Sequence, residues 1–596
     1  MTLNNLKETW NLDVFFKGGS HSEEFASYLN MIREELSAFH EQVKSFTSPK
    51  HAGDINELSA ILSLFESVVK KTRQAGAFVS CLQAQNMKDL KANQKRSEIT
   101  QLSATFHNSL VLFDKKLSEI DKSLWNELMQ QEEIKEISYI LNERREKVKD
   151  RLSVEQETLI QGLAVDGYHS WGDLYNAIVS KIKIPYEDDG ETKMLSVGQA
   201  SNLTARPERH TRKIITENLN RAWEQDADIL SRTLNHLGGF RLNVYGARRW
   251  NNVLKEPLEI NRMKEETLDV MWEVISDNKQ PFVDYLNRKA ELLGLDKLDW
   301  CDLEAPIGTD AGEYSYDRAA NFIVDQFKSF APKLASFSEK AFKDRWIEAE
   351  DRDGKRPGGF CTSFPESEQS RIFMTFSGSA SNVSTLAHEL GHAYHQEAML
   401  DVRPLNRGYA MNVAETASTF AEMIVADAAL KQADSDEQKL VLLEDKLQRS
   451  VAFYMNIHAR FLFEKRFYEE RKKGMVSAER LNQLMVEAQK EAYCDALGDY
   501  APYFWASKLH FYITSVPFYN FPYTFGYLFS LGIYARALKE GARFEEKYIA
   551  LLKDTASMTV EDLASKHLNV DLTKREFWED AIELSIKDAE EFLRLT

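Results

Sequence analysis

The sequence predicts a mainly α-helical protein with two lobes and one small β-hairpin beside its most informative helix. Apolar residues recur at three- and four-residue spacing along most of the chain, the period of a helix with one buried face. Helix breakers are scarce, with 26 Gly and 13 Pro in 596 residues. That length exceeds what one hydrophobic core usually serves, so two or more lobes and extensive apolar burial follow.

The N-terminal third consists of charged helical segments, such as 134–151 and 155–182, and carries no recognisable chemical motif. Between 184 and 212 the pattern breaks. Asp189-Gly190 suggests a hairpin turn and Pro207 ends regular structure, which places a boundary near residue 205 and divides the chain into 1–205 and 206–596. No repeat of fixed period is evident, so a solenoid is disfavoured. Further on, GFCTSF (359–364) and RIFMTF (371–376) flank the turn-like PESEQS and read as a β-hairpin. Ser381, Asn382 and Ser384 are candidate caps for the helix that follows. A second helix is expected over 409–431. A third starts at Ser435, where Ser435 and Gln438 can form a capping box, and Leu443, Leu447, Tyr454 and Phe461 share its apolar face up to Gly474. Glu444 and Asp445 read as its exposed face.

Composition excludes several function classes. A net charge of −18 and a pI near 5.4 oppose binding to nucleic acid phosphates. Residues 509–535 contain no Lys, Arg, Asp or Glu, yet Pro517, Asn520, Pro522 and His510 interrupt them, which suits a broken, buried segment better than a membrane span. The N-terminus lacks a basic stretch followed by an apolar run, so cytoplasmic residence is the expectation. Cys81, Cys301, Cys361 and Cys494 are far apart, form no CxxC, and are expected as buried free thiols.

The chemistry concentrates in His388-Glu389-Leu390-Gly391-His392. With 13 His in the chain, an HExxH should arise by chance only about 0.02 times. Residues four apart on a helix point the same way, so both imidazoles can hold one tetrahedral zinc while Glu389 stands beside the position left for water. Glu389 can then act as general base and afterwards as acid. A third protein ligand is needed. His395 lies too far along the same straight helix and reads as a packing or supporting histidine. Glu415 and Glu422 share one face of the second helix, within an apolar stretch where a carboxylate must be paired or metal-bound.

HELGH followed by ETAST resembles the thimet oligopeptidase family, and the details are most similar to its bacterial oligoendopeptidase F branch. FMTFSGSASNVSTLAHELGHAYH, AETASTFAE and HFYITSVPFYNFPYTFGYLF occur in the expected order. The resemblance covers the chain from about residue 205 onward; before that, only length and helical character match. It implies a mostly helical shell enclosing a deep channel between lobes, and one zinc ion per chain held by His388, His392 and Glu415, the last followed by Ser418 in the family's ExxS pattern. It also implies that Glu422 orients a histidine from behind. His510, Tyr519 and Tyr527 are implied as donors to the oxyanion. The spacing from the histidine to the tyrosines departs from that of mammalian relatives, so Tyr523 can replace Tyr519.

The function expected is a zinc endopeptidase acting on short oligopeptides. An exopeptidase would need a cation for a free carboxylate, for which Arg403 and Arg407 are candidates. A noncatalytic peptide holder is disfavoured, because His388, His392, Glu389 and Glu415 are all retained. Oligomeric state leaves no signal in the sequence.

Overall fold

The computed structural model describes residues 3–188, 190–308 and 314–596. Helices dominate, arranged around two hydrophobic cores. In the N-terminal lobe, Glu23–Ser45, Asn56–Gln85 and Leu90–Ser118 are the long elements. The first is set by Ser22, whose side chain accepts the Phe25 N–H, and buries Phe25, Leu29, Ile32, Leu36, Phe39 and Val43 along one stripe. This core also takes in Trp125, Ile134 and Leu141, and reaches across to Phe364, Phe373 and Leu405.

The segments expected over 134–151 and 155–182 are the helices Ser138–Lys149, Val154–Ala164 and Ser170–Lys181, the last two joined by a π-turn at Val165–His169. Tyr168, Tyr175 and Ile182 already belong to the larger core, which is organised on the 39-residue helix Arg209–Ala247 and closes with Arg575–Leu595. Strands β1 (Ile184–Asp188) and β2 (Glu191–Leu195) form the first hairpin. Gly190 turns it at φ 83°, while Asp189 lies outside the described residues.

The second sheet positions the functional region. It has the order β3 (Ile347–Glu348), β5 (Gln369–Phe373), β4 (Phe360–Phe364), so the expected hairpin is present and gains a short parallel partner. Alternate side chains leave a strand on opposite faces. Ile372 accordingly enters the larger core and Phe373 the N-terminal one, which makes the hairpin a wall between the lobes.

Several local expectations need correction. The cap of the HExxH helix (Ala380–Ala398) is Ser379, extended at φ −78° and ψ 157°, rather than Ser381, Asn382 or Ser384. Asn382 instead accepts from the Ser377 N–H and hydroxyl. Ser435 does cap the third helix, but the Gln438 side chain accepts the Asp434 N–H, one residue before a true capping box. Glu444 is buried, because Lys289 (2.7 Å) and the Ile307 N–H (2.9 Å) occupy its carboxylate. Cys494 is exposed, whereas Cys81 and Cys301 are buried. The uncharged stretch breaks into a short 3-10 turn, Leu509–Tyr512, a loop, and the helix Phe521–Glu540. No helix among the described residues is long and apolar enough to cross a membrane.

Candidate metal and catalytic site

Two glycines bring the site together. A Cβ on Gly391 would stand 2.4 Å from the Ala417 carbonyl oxygen and 2.6 Å from the Ser418 Cα, so only glycine lets the HExxH helix meet the second helix backbone to backbone. That second helix is not continuous over 409–431. It runs as Met411–Ala414 and Thr416–Lys431, with Glu415 at the break (φ −84°, ψ 0°). On its other side Glu415 is pressed by Gly526, where a Cβ would lie 3.2 Å from the Glu415 Cβ.

The break aims Glu415 at both histidines. Its Oε2 lies 3.3 Å from His388 Nε2 and 3.4 Å from His392 Nε2, and it accepts the Ser418 hydroxyl at 2.7 Å. Ligand atoms about 2.0 to 2.1 Å from a tetrahedral zinc are separated from one another by about 3.3 Å. The trio, with one ligand atom from each residue and all within 4.8 Å of one another, therefore fits such an ion. Glu422, expected behind the site, lies 3.2 Å from His388 Nδ1 through its Oε2, and its Oε1 accepts from Arg449, which also pairs with Asp445 at 2.8 Å.

Electrostatics follow from this packing. Burial opposes ionisation of Glu415, but the two imidazoles outweigh it and hold the carboxyl well below its usual range. Burial likewise opposes charge on His388, yet Glu415 and Glu422 push it up to about 10. A proton and a divalent cation compete for the same nitrogen. Glu389 is buried, its Oε2 has no hydrogen-bond partner, and desolvation raises its pKa against the pull of His388 and His392.

The aromatic residues separate into two groups. His510 and Tyr519 have ring centroids 5.4 Å apart, with Tyr523 at 6.2 Å from His510 and 5.8 Å from Tyr519. Burial, with Arg460 and Lys508, lowers His510 to about 4, leaving a neutral ring. Tyr523 is half-buried and feels the Glu415 charge. Tyr527 does not join them. It is buried, stacked on Phe453 at 4.5 Å, with its hydroxyl 3.1 Å from Ser450 Oγ. His395 is also removed from the ligand set, stacked on Tyr409 at 4.1 Å with Nε2 3.0 Å from Thr555 Oγ1.

Sequence reasoning missed the residues that support the site. Arg449 clamps Glu422, and its spacing of four from Asp445 was the available signal. Glu464 is buried and accepts the Phe518 N–H at 3.1 Å, fixing the backbone immediately before Tyr519, where Phe518 holds φ 51°. Arg241 donates to the Ile513 carbonyl at 2.6 Å and to Tyr468 at 2.8 Å. No local pattern pointed to either.

Comparison with known proteins agrees with this geometry. Peptidase family M3 matches residues 202–584, and the family described as Oligopeptidase F matches 116–184. An oligoendopeptidase F homolog of Lactococcus lactis subsp. lactis is 24% identical over 97% of this chain and 95% of its own length. Oligopeptidase PepF of Bacillus subtilis is 25% identical over 77% of this chain and 69% of its own. The crystal structure of oligoendopeptidase-F from Enterococcus faecium superposes with a TM-score of 0.69 at 18% identity, covering 96% of this chain and 99% of that one.

Proposed function

The chain belongs to peptidase family M3, and from that premise we propose a zinc-dependent endopeptidase of the oligoendopeptidase F type that cleaves internal bonds of short oligopeptides. One observation carries the reading. The Nε2 atoms of His388 and His392 converge on one oxygen of Glu415, with the unpartnered carboxylate of Glu389 on the same helix.

When bound, zinc supplies Lewis acidity, polarising the scissile carbonyl and lowering the pKa of a bound water from 15.7 toward about 7. Glu389 takes the proton from the attacking water and delivers it to the leaving amine. Glu422 fixes the His388 ring through Nδ1 and leaves Nε2 for the metal. His510, Tyr519 and Tyr523 stand as neutral donors for the developing oxyanion. Tyr527 is replaced in that role, since its hydroxyl is engaged in the helical core.

Substrate reaches these groups along β4. It is the terminal strand of its sheet, and Gly359, immediately before it, lies so close to the catalytic helix that a Cβ there would crowd Glu389 Oε1 and the Phe373 carbonyl oxygen at 3.3 Å. An extended peptide can add to that edge through main-chain hydrogen bonds, with little regard to side chains. The helical N-terminal lobe forms the wall of the channel, which limits entry to flexible peptides, although Tyr168, Tyr175 and Ile182, before the division expected near residue 205, pack in the larger core. Arg403 is engaged by Glu66 at 3.0 Å and is not free to hold a terminal carboxylate beside the metal.

A defined peptide library of several lengths, digested with and without chelator and read by mass spectrometry, tests reaction, metal need and length limit together. Internal cleavage of peptides, but not of intact casein, abolished by chelator and restored by zinc, is the expected result. Release of terminal dipeptides alone would overturn it.

A further inference from the structure

A cavity of about 350 Å³ opens between β4 and the helix Asn56–Gln85, lined by Arg73, Arg96 and Arg407 together with Thr362, Ser363 and Tyr409. In a chain of net charge −18, these three cations face no carboxylate within ion-pair distance among the described residues. Arg96 donates to the neutral side chains of Gln83 and Ser80. Arg407 donates to the Val402 carbonyl at 2.7 Å and the Leu400 carbonyl at 2.6 Å. Among the described residues Arg73 makes no hydrogen bond or ion pair, its favourable electrostatic neighbour being the Tyr409 hydroxyl, and its Nη2 would stand 3.4 Å from a Cβ on Gly408. Its side chain is exposed to the cavity. Despite that exposure, desolvation by the surrounding cleft, with the nearby charge of Arg407 and against the opposing pull of Tyr409, holds its pKa below the ordinary value. Arg73 and Arg407 repel each other, with the Arg96 guanidinium on the same cavity wall, and an incoming anion relieves that repulsion.

The cavity also stands in register with the proposed chemistry. It abuts β4, which forms no backbone hydrogen bond among the described residues beyond its ladder with β5 and the Ser367–Phe364 turn bond. Gly359 sits against Glu389, and Thr362 and Ser363 follow three and four residues later. At about 3.3 Å per residue, an extended peptide on that edge carries a group about 10 to 13 Å from the scissile bond into the cavity. Guanidinium forks match a carboxylate there.

We propose that this cavity is a carboxylate-binding subsite for the peptide substrate, with Arg73 as its free cation and Arg96 and Arg407 as its electropositive walls. The inference rests on the endopeptidase reading above and adds a positional preference to it: one negative charge, about three to four residues from the cleaved bond. That charge comes from a substrate Asp or Glu side chain or from the substrate's own C-terminal carboxylate. A C-terminus held at that distance is too far for dipeptide trimming, so the cavity agrees with internal cleavage.

The test uses twin peptides around one cleavable bond. One series carries Glu or Gln at each position up to five residues on either side, and a second carries a free or amidated C-terminus. We expect kcat/KM for one anionic member to exceed that of its neutral twin about tenfold, and the ratio to fall toward one in Arg73→Gln. A preference that follows the Glu position identifies a side chain, and one that follows amidation identifies the terminus. Binding of the same twins to Glu389→Gln, followed by fluorescence anisotropy, must show the same ratio and the same loss when Arg73→Gln is added. Equal rates and equal binding for all twins, or a ratio unchanged in Arg73→Gln, overturn the subsite. Failure of the wild-type protein to cleave any peptide would instead refute the endopeptidase reading, while the binding arm would still decide the subsite.

Discussion

Glu422 Oε2 stands 3.2 Å from His388 Nδ1, on the imidazole edge opposite the Nε2 that meets Glu415 at 3.3 Å. One carboxylate thereby fixes the ring orientation that the other residue and the metal require. Arg449 holds Glu422 in turn, so the chain of support extends to the third helix. Replacing Glu422 with Gln should weaken zinc binding about 10- to 100-fold, measured by competition with a coloured chelator. Unchanged affinity would mean that Glu422 serves only the fold.

Glu389 occupies a different position, buried with an oxygen that has no hydrogen-bond partner, and it forms no ion pair with a histidine among the described residues. A Glu389→Gln protein should keep its zinc content and lose turnover by several orders of magnitude. Metal analysis and single-turnover cleavage on the same preparation separate the two effects. Loss of zinc with loss of activity would place Glu389 among the ligands instead.

The tyrosines divide by where their hydroxyls go. Tyr523 and Tyr519 cluster with His510, whereas the Tyr527 hydroxyl is 3.1 Å from Ser450 Oγ. Removing a true oxyanion donor costs about 2.7 to 4 kcal/mol in the barrier, or 10²- to 10³-fold in kcat. Tyr519→Phe and Tyr523→Phe should show falls in kcat of that order, with KM little changed. Tyr527→Phe should lower thermal stability by about 1 kcal/mol with a far smaller effect on kcat. The reverse ranking would return Tyr527 to the catalytic group.

The motif itself was legible because helical geometry alone places His388 and His392 on one face, and the β-hairpin because its two apolar runs flank a turn. The proposed third ligand was less so. Spacing left Glu415 and Glu422 equivalent, and the backbone break at Glu415 that separates their roles depends on contacts from Gly391 and Gly526, far apart in sequence. The same reason hid the burial of Glu444, whose partner Lys289 belongs to a distant helix. Tyr523 and Tyr527 are also one turn apart on a single helix, and only the tertiary neighbours of each, Tyr519 and Ser450, distinguish them.

Gly391 tests how far the site depends on that close helix crossing. Alanine there meets backbone atoms of Ala417 and Ser418 at 2.4 to 2.6 Å, which cannot rotate aside. The second helix must retreat and carry Glu415 with it. Overpacking of this kind destabilises by about 1 to 3 kcal/mol, so Gly391→Ala should lower the melting temperature and the zinc affinity together. Gly162→Ala, where nothing lies within 4 Å of the new Cβ, should do neither.

Glu464 links stability to pH. Burial raises its pKa to about 7, against the opposing pull of Arg241 and the Phe518 N–H. An acid whose folded pKa lies above its unfolded value favours the folded state when protonated. The folded protein therefore binds more protons between about pH 4.5 and 7, and stability falls as pH rises through that window. The full loss amounts to about 3 kcal/mol above pH 7. Glutamine keeps a carbonyl oxygen for the Phe518 N–H and carries no charge to desolvate. Glu464→Gln should thus match the wild type in melting temperature near pH 5 and exceed it near pH 8, with the gap opening in between. A constant difference across that range would show that Glu464 does not titrate there. If the variant also lost kcat at pH 8 while gaining stability, the hold on Phe518 would be seen to position Tyr519 through the ionised carboxylate.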